Sequence, residues 1–268
     1  MKLAFSTLGC PNWGVDEILE AARTNGYDGV ELRFYQGSLD LKQALDVFPG
    51  GPREFRRRFQ RVGVALCCLD TSIVLTAAEA GSAEGDQMVD LALALGAPYL
   101  RVFGGEIPEG ESRAEATRRA GEKLARLGRR AAQRELRVLV ETHDAFSTGA
   151  HVAELLKAAG EHGTGVLWDL HHPARMGEAP GQTARLIGGR TFHVHIKDAR
   201  RDGALTLLGD GDVALRDLLT ELKKLGYAGC ISLEWEKAWH RELAEPEVAF
   251  PHAIRYLSGL FRELGIGR

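Results

Sequence analysis

The sequence is poor in cysteine, has no excess of either charge and contains no long apolar run. Four cysteines occur in 268 residues, Cys67 and Cys68 side by side and Cys10 and Cys230 alone. That pattern excludes a framework of spaced disulfides and a Cys-x-x-Cys zinc or redox pair, and it is expected of a protein in a reducing cytoplasm. Basic residues number 34 against 37 acidic ones, a net charge of −3. Such a balance gives no electrostatic reason for a phosphate-backbone partner, so no nucleic-acid partner is expected. No segment approaches the roughly 20 consecutive apolar residues of a membrane span. The N-terminal run from Met1 to Cys10 is too short for an export signal and is broken by Ser6 and Thr7, so a soluble, cytoplasmic protein is expected.

What the chain does contain is a strict alternation. Eight short apolar runs read as strands: Leu3–Thr7, Gly29–Phe34, Val64–Asp70, Tyr99–Phe103, Val138–Glu141, Gly165–Asp169, Phe192–Ile196 and Cys230–Glu234. Between them, Val15–Thr24, Ser82–Leu95, Arg113–Arg134, Val152–Ala159, Leu215–Leu225 and Glu247–Leu264 place apolar residues at three- and four-residue intervals and read as helices. Alternating β and α elements predict a parallel sheet, and eight repeats predict its closure, an α/β fold of the (β/α)8 TIM barrel type. The length suits one such barrel of about 250 residues, so residues 1–268 are expected to form a single domain. Asn25-Gly26-Tyr27-Asp28-Gly29 and Leu225-Gly226-Tyr227-Ala228-Gly229 read as the same helix stop used twice, with Gly26 and Gly226 as left-handed caps. Tyr35–Arg61 is expected to be a long loop, broken at Pro49-Gly50-Gly51-Pro52, followed by a charged helix Arg53–Arg61. Arg56-Arg57-Arg58 is read as its solvated face.

Four of the strands end on a side chain able to hold a metal: Glu141, Asp169, His195 and Glu234, separated by 28, 26 and 39 residues. Each separation is about a strand, a loop and a helix. In a barrel of this kind the C-terminal ends of the strands form the active face, so these four converge. Three carboxylates and one imidazole make a hard, anionic site for one divalent cation. Oxygen-rich ligation favours Mn²⁺ or Mg²⁺ and the histidine tilts the choice to Mn²⁺ or Co²⁺. Mn²⁺ is therefore expected first, with Mg²⁺, Co²⁺ and Zn²⁺ compatible with the same donors.

Neighbouring residues supply candidate substrate contacts. His172 stands three residues beyond Asp169, His143 two beyond Glu141, and Glu236 two beyond Glu234. In His193-Val194-His195 the alternation is expected to send the two rings to opposite faces, with His195 pointing inward and Lys197 sharing its parity. Glu31 is a candidate for a substrate hydroxyl, or for an ion pair with Arg33 or Arg101. Leu208-Gly209-Asp210-Gly211-Asp212 has the look of a phosphate loop but lacks the lysine and hydroxyl residue of one, and is read as a turn. Trp235, Trp239 and Ala238–Phe250 are expected to cover the chain's own site or a neighbour's, which leaves a homo-oligomer open.

The segments Gly29-Val30-Glu31-Leu32, Val140-Glu141-Thr142-His143, Trp168-Asp169-Leu170-His171-His172, His193-Val194-His195-Ile196-Lys197-Asp198, Gly209-Asp210-Gly211 and Ser232-Leu233-Glu234-Trp235-Glu236 together resemble the xylose isomerase-like superfamily of sugar isomerases and epimerases. The resemblance implies a β/α barrel with one divalent metal, often Mn²⁺, on Glu141, Asp169, His195 and Glu234. Through the ketose 3-epimerase branch it implies that both glutamates act as acid and base, that His172 touches substrate, and that Arg200 or Arg201 binds it. The implied substrate is a small polyhydroxylated carbonyl compound, a sugar or sugar phosphate reacting through an enediolate. A dehydratase branch acting on keto-inositols or dehydroshikimate carries the same His-x-His-x-Lys-Asp, and Lys197-Asp198 fits it slightly better. The abasic-site endonuclease branch needs further histidines, and Cys67–Asp70, Val102–Gly105 and Gly203–Leu207 hold none. Outside catalysis, the rival is a carbohydrate-binding barrel without turnover.

Overall fold

The computed structural model describes residues 1–77 and 83–268. Strands form where the sequence has its apolar runs: β1 (Lys2–Ser6), β2 (Gly29–Leu32), β3 (Ala65–Val74), β4 (Tyr99–Phe103), β5 (Arg137–Glu141), β6 (Thr164–Asp169) and β7 (Thr191–Ile196). After a short antiparallel pair, β8 (Asp198–Ala199) with β9 (Leu205–Thr206), comes β10 (Cys230–Leu233). Seven of these and β10 close into a barrel in the order β1-β10-β7-β6-β5-β4-β3-β2. The α/β TIM barrel expected from the alternation is therefore the fold. These strands are apolar along most of their length because parallel barrel strands are buried on both faces.

By its internal contacts the chain divides into two compact units. The first comprises Met1–Cys67 and Val194–Arg268. In it β1 pairs in parallel with β2 and β10, and β10 with β7, Ser232 lying opposite His195. Its helices are α1 (Val15–Asn25), α2 (Leu41–Asp46), α3 (Gly51–Val62), α9 (Leu215–Lys224) and α10 (Pro246–Leu264). The second unit, Cys68–His193, pairs β3 with β4, β4 with β5 and β5 with β6, all parallel. Its helices are α4 (Ala83–Leu95), α5 (Arg113–Ala132), α6 (Gly149–Ala159), α7 (His171–Arg175) and α8 (Pro180–Ile187).

The repeated helix stop is real. Gly26 and Gly226 take φ of 76° and 67°, and the following amide closes the same loop in both, Tyr27 N donating to Ala22 O at 2.9 Å and Tyr227 N to Leu222 O at 3.0 Å. A side chain at either glycine would have to adopt the disfavoured left-handed region. The stretch read as one loop holds more structure. Asp40 caps α2 by accepting from Gln43 N at 2.9 Å. Pro52 sits in the first turn of α3, where a missing N–H costs nothing, so Pro49–Pro52 starts a helix as well as ending a loop. The helix α8 was not anticipated, although Pro180 opens it in the same way. The expected helix beginning at Ser82 starts, among the described residues, at Ala83, and Ser82 itself lies outside them.

Candidate active site and metal centre

In the first unit the site residues lie at the ends of β2, β7 and β10. Glu31 is fully buried, and its Oε2 stands 2.8 Å from His195 Nε2. The other ring nitrogen, Nδ1, is 3.4 Å from Glu234 Oε1. Glu234 follows β10 directly and is held there by its amide, which donates to Ile196 O at 3.0 Å. Its second oxygen accepts from Lys197 Nζ at 2.5 Å, and the same ammonium donates to Glu236 Oε1 at 2.9 Å. Lys197 is only 4% exposed, so it is a buried lysine clasped by two carboxylates rather than a solvated one. Arg201 stands exposed on the turn between β8 and β9. Among the described residues its side chain makes no ion pair with this cluster, and only its amide is fixed, donating to Asp212 Oδ2 at 3.0 Å.

The glycine-rich loop after β9 does wrap an anion, and the anion is the chain's own. Asp198 accepts from the amides of Ala199, Gly209, Gly211 and Val213 at 2.8–3.2 Å. A Cβ on Gly211 would fall 2.2 Å from Asp198 Oδ1, so only glycine fits. The segment after β10 covers its own chain: Ala238 N donates to Leu8 O at 3.1 Å, Trp235 Nε1 to Ala244 O at 2.8 Å, and Trp239 meets Phe34 edge-on at 5.8 Å. Beside it lies a groove of about 540 Å³ that includes Trp13, Phe34, Lys237 and Arg241. Cys10 also lines it, but burial, followed by the nearby Glu17 and Glu247, pushes its thiol well above the usual range and leaves it unreactive.

In the second unit Glu141 ends β5 at 1% exposure, with Oε2 3.3 Å from Arg101 Nε. Asp169 ends β6, fully buried, and Oδ1 accepts from the amides of His171 and His172 at 2.7 and 3.2 Å, capping α7. Thr142 Oγ1 bridges both the amide and the carbonyl of Asp169, at 2.9 and 3.1 Å, which fixes the strand end. His172 Nε2 is 3.7 Å from Asp169 Oδ2. The His143 ring lies 4.6 Å from that of His172 and 4.7 Å from Phe103, and its Nδ1 is 2.6 Å from Asp144 Oδ1. His143 and His172 thus form one patch, as expected of two residues on the same rim.

Glu141, Asp169, His195 and Glu234 are all buried, and each offers a ligand atom within 4.8 Å of the others. Glu31, His193 and His195 form a second such group. That second group corrects an expectation: His193 and His195 do not face opposite ways. Side chains two apart on a strand share a face, so both rings of β7 point inward, and both are fully buried. Sequence reasoning named Arg101 only as a possible partner of Glu31 and missed Asp70; Arg101 pairs with Asp70 and Glu141. The available signal was a charged residue inside each apolar strand, which a barrel interior tolerates only when it is paired.

The donor set fits a divalent cation. A metal-binding imidazole ordinarily gives its other N–H to a carboxylate, and His195 has Glu31 in that position. With the proton on Nε2, Nδ1 keeps its lone pair on the side of Glu234. No helix among the described residues is long and apolar enough to cross a membrane.

Comparison with known proteins agrees with the fold. The chain is 32% identical over 162 residues to a Streptomyces coelicolor protein provisionally named hydroxypyruvate isomerase, covering 56% of this chain and 57% of that one. It is 27% identical over 150 residues to an inosose dehydratase of Clostridium botulinum, covering 48% and 47%. The chain spans about half the length of these curated relatives. Among solved structures, an L-ribulose 3-epimerase superposes with a TM-score of 0.80 at 15% identity, covering 98% of this chain and 95% of the other. The IOLI protein with a bound zinc atom superposes with 0.77 at 19%, covering 98% of each. At such identities these two structures support the fold alone. The family model described as xylose isomerase-like TIM barrel matches residues 19–260, and the chain belongs to that family.

Proposed function

We propose that residues 1–268 act as one metal-dependent enzyme that moves a proton on a carbon next to a carbonyl of a small polyhydroxylated substrate, an isomerase or epimerase. The observation that carries this reading is the buried group Glu141, Asp169, His195 and Glu234, with ligand atoms within 4.8 Å of one another. These four residues would hold a divalent cation, Mn²⁺ first. When bound, such a cation polarises adjacent carbonyl and hydroxyl oxygens and so acidifies the carbon-bound proton between them. Asp169 and His195 are ligands only, the first tied to the amides of α7 and the second to Glu31. Glu141 and Glu234 take the proton and return it, each from its own strand. His172, His143 and Glu236 orient the substrate hydroxyls at the rim.

A second reading, dehydration, is favoured by Lys197. Its buried ammonium touches both Glu234 and Glu236 and is a ready hydrogen-bond donor to a departing hydroxyl. The relatives named as an isomerase and a dehydratase support the two readings about equally. The deciding experiment is incubation of the Mn²⁺-loaded protein with ketoses, their phosphates and keto-inositols in heavy water, followed by mass spectrometry. Gain of one deuterium supports isomerisation or epimerisation, and loss of one water supports dehydration. Binding without either change supports a carbohydrate-binding barrel and contradicts both.

A further inference from the structure

Arg101 is a charged side chain in the middle of an apolar strand, Tyr-Leu-Arg-Val-Phe, and 1% of it is exposed. The strand register sets it opposite Asp70 on β3 and Leu139 on β5. Glu141, two residues beyond Leu139, shares that face. The guanidinium nitrogens reach three partners: Nη2 donates to Asp70 Oδ2 at 3.2 Å, Nη1 donates to Thr71 O at 3.1 Å, and Nε stands 3.3 Å from Glu141 Oε2 as an ion pair rather than a hydrogen bond. The Phe103 ring lies 4.0 Å from its central carbon. The group is gripped from β3, β4 and β5 at once.

Within its own unit the buried charge is lopsided. Asp70, Glu141 and Asp169 are buried to 1% exposure or less, while Arg101 is the one buried arginine or lysine among the described residues of this unit. Buried carboxylates demand a counter-charge, whether proton, metal ion or organic cation. A guanidinium is the one choice that neither dissociates nor loses its charge.

We propose that Arg101 is a built-in cation: a positioning residue that fixes the Glu141 carboxylate and reserves the centre for a single metal ion. It does so by filling, with a permanent charge, the place where a second ion would meet two carboxylates. The proposal rests on the metal-centre reading above. A lysine could supply the charge but not contacts to three partners, and a neutral side chain would take away the cation that Asp70 and Glu141 both meet.

The test is titration of metal-free protein with manganese(II), counting bound equivalents by the resonance signal of the free ion and following the fold by near-ultraviolet dichroism. Wild type is expected to bind one equivalent and Arg101→Lys one. Arg101→Ala is expected to bind two. Its second equivalent should be lost on adding millimolar guanidinium, which refills the gap, and lost again in the double variant with Asp70→Asn. A folded Arg101→Ala that binds no more than one equivalent overturns the proposal. If Arg101→Ala does not fold alone, recovery of its dichroism on adding guanidinium or manganese supports the built-in cation, and failure of both to restore it overturns the idea. The underlying reading fails separately: a wild type that binds no manganese, or a His195→Ala that binds it as wild type does, removes the metal centre itself. One equivalent in wild type, none in His195→Ala and one in folded Arg101→Ala removes only the role of Arg101.

Discussion

The two units solve the same problem with different chemistry. Each ends a strand on a buried glutamate and sets a cation against it: Lys197 on Glu234 in the first, Arg101 on Glu141 in the second. Lysine is a point charge on a flexible stem, and its partner Glu234 keeps 8% exposure and a second carboxylate, Glu236, within reach of the same ammonium. Arginine is a rigid fork, and its partner Glu141 is 1% exposed. The difference teaches that the two glutamates are not interchangeable, although both sit at strand ends on one barrel. Glu141 is paired with a group that cannot change its charge, whereas Glu234 shares its lysine with Glu236.

The largest effect expected from this comparison is on turnover. Glu141→Gln should lower deuterium incorporation about 10²–10⁴-fold, the usual contribution of a positioned acid or base, with manganese still bound. Glu234→Gln should do the same. If one variant keeps full exchange, the two glutamates do not share the proton, and the assignment of both as acid and base fails.

Exchanging the cations sharpens the contrast in stability. Arg101→Lys keeps the charge but loses at least one of three partners. It should cost about 2 kcal/mol or more in urea unfolding, short of the roughly 3–5 kcal/mol that losing a buried partner entirely costs. Lys197→Arg should cost about 1 kcal/mol, mainly through overpacking. Equal losses would mean that the grip on Glu141 is no tighter than that on Glu234.

A smaller effect is expected at the loop that wraps Asp198. Gly211→Ala puts a methyl where an oxygen stands 2.2 Å away and should cost about 1–3 kcal/mol, read as a lowered thermal midpoint. Least of all, Arg57→Ala on α3 should change stability by no more than about 0.5 kcal/mol, because its side chain is 69% exposed and its pair with Glu54 spans 3.5 Å. A larger loss there would show that the arginine run is more than a solvated face.

All eight barrel strands were legible in the sequence because each is a short apolar run between turn signals, and the four metal-grade residues because each terminates such a run. The glycine caps at Gly26 and Gly226 were legible for the same local reason. What was not legible depends on partners distant in sequence. Arg101 meets Asp70 and Glu141 from 31 and 40 residues away, a pairing set by strand register rather than by any local pattern. The short helices α2 and α8 were lost because six and eight residues give too little periodicity to stand out. His193 was misplaced by an error of parity, which the register of β7 corrects. The glycine loop was legible as a turn, but that it encloses Asp198 follows only from the folded backbone.

The measurement that bears most directly on the central claim is the manganese content of wild type and His195→Ala, prepared side by side and both shown to be folded. One ion per chain in wild type and close to none in the variant is the predicted result, because His195 is a proposed ligand whose ring is already oriented by Glu31. Equal content in the two proteins would contradict the metal centre and the proton chemistry built on it.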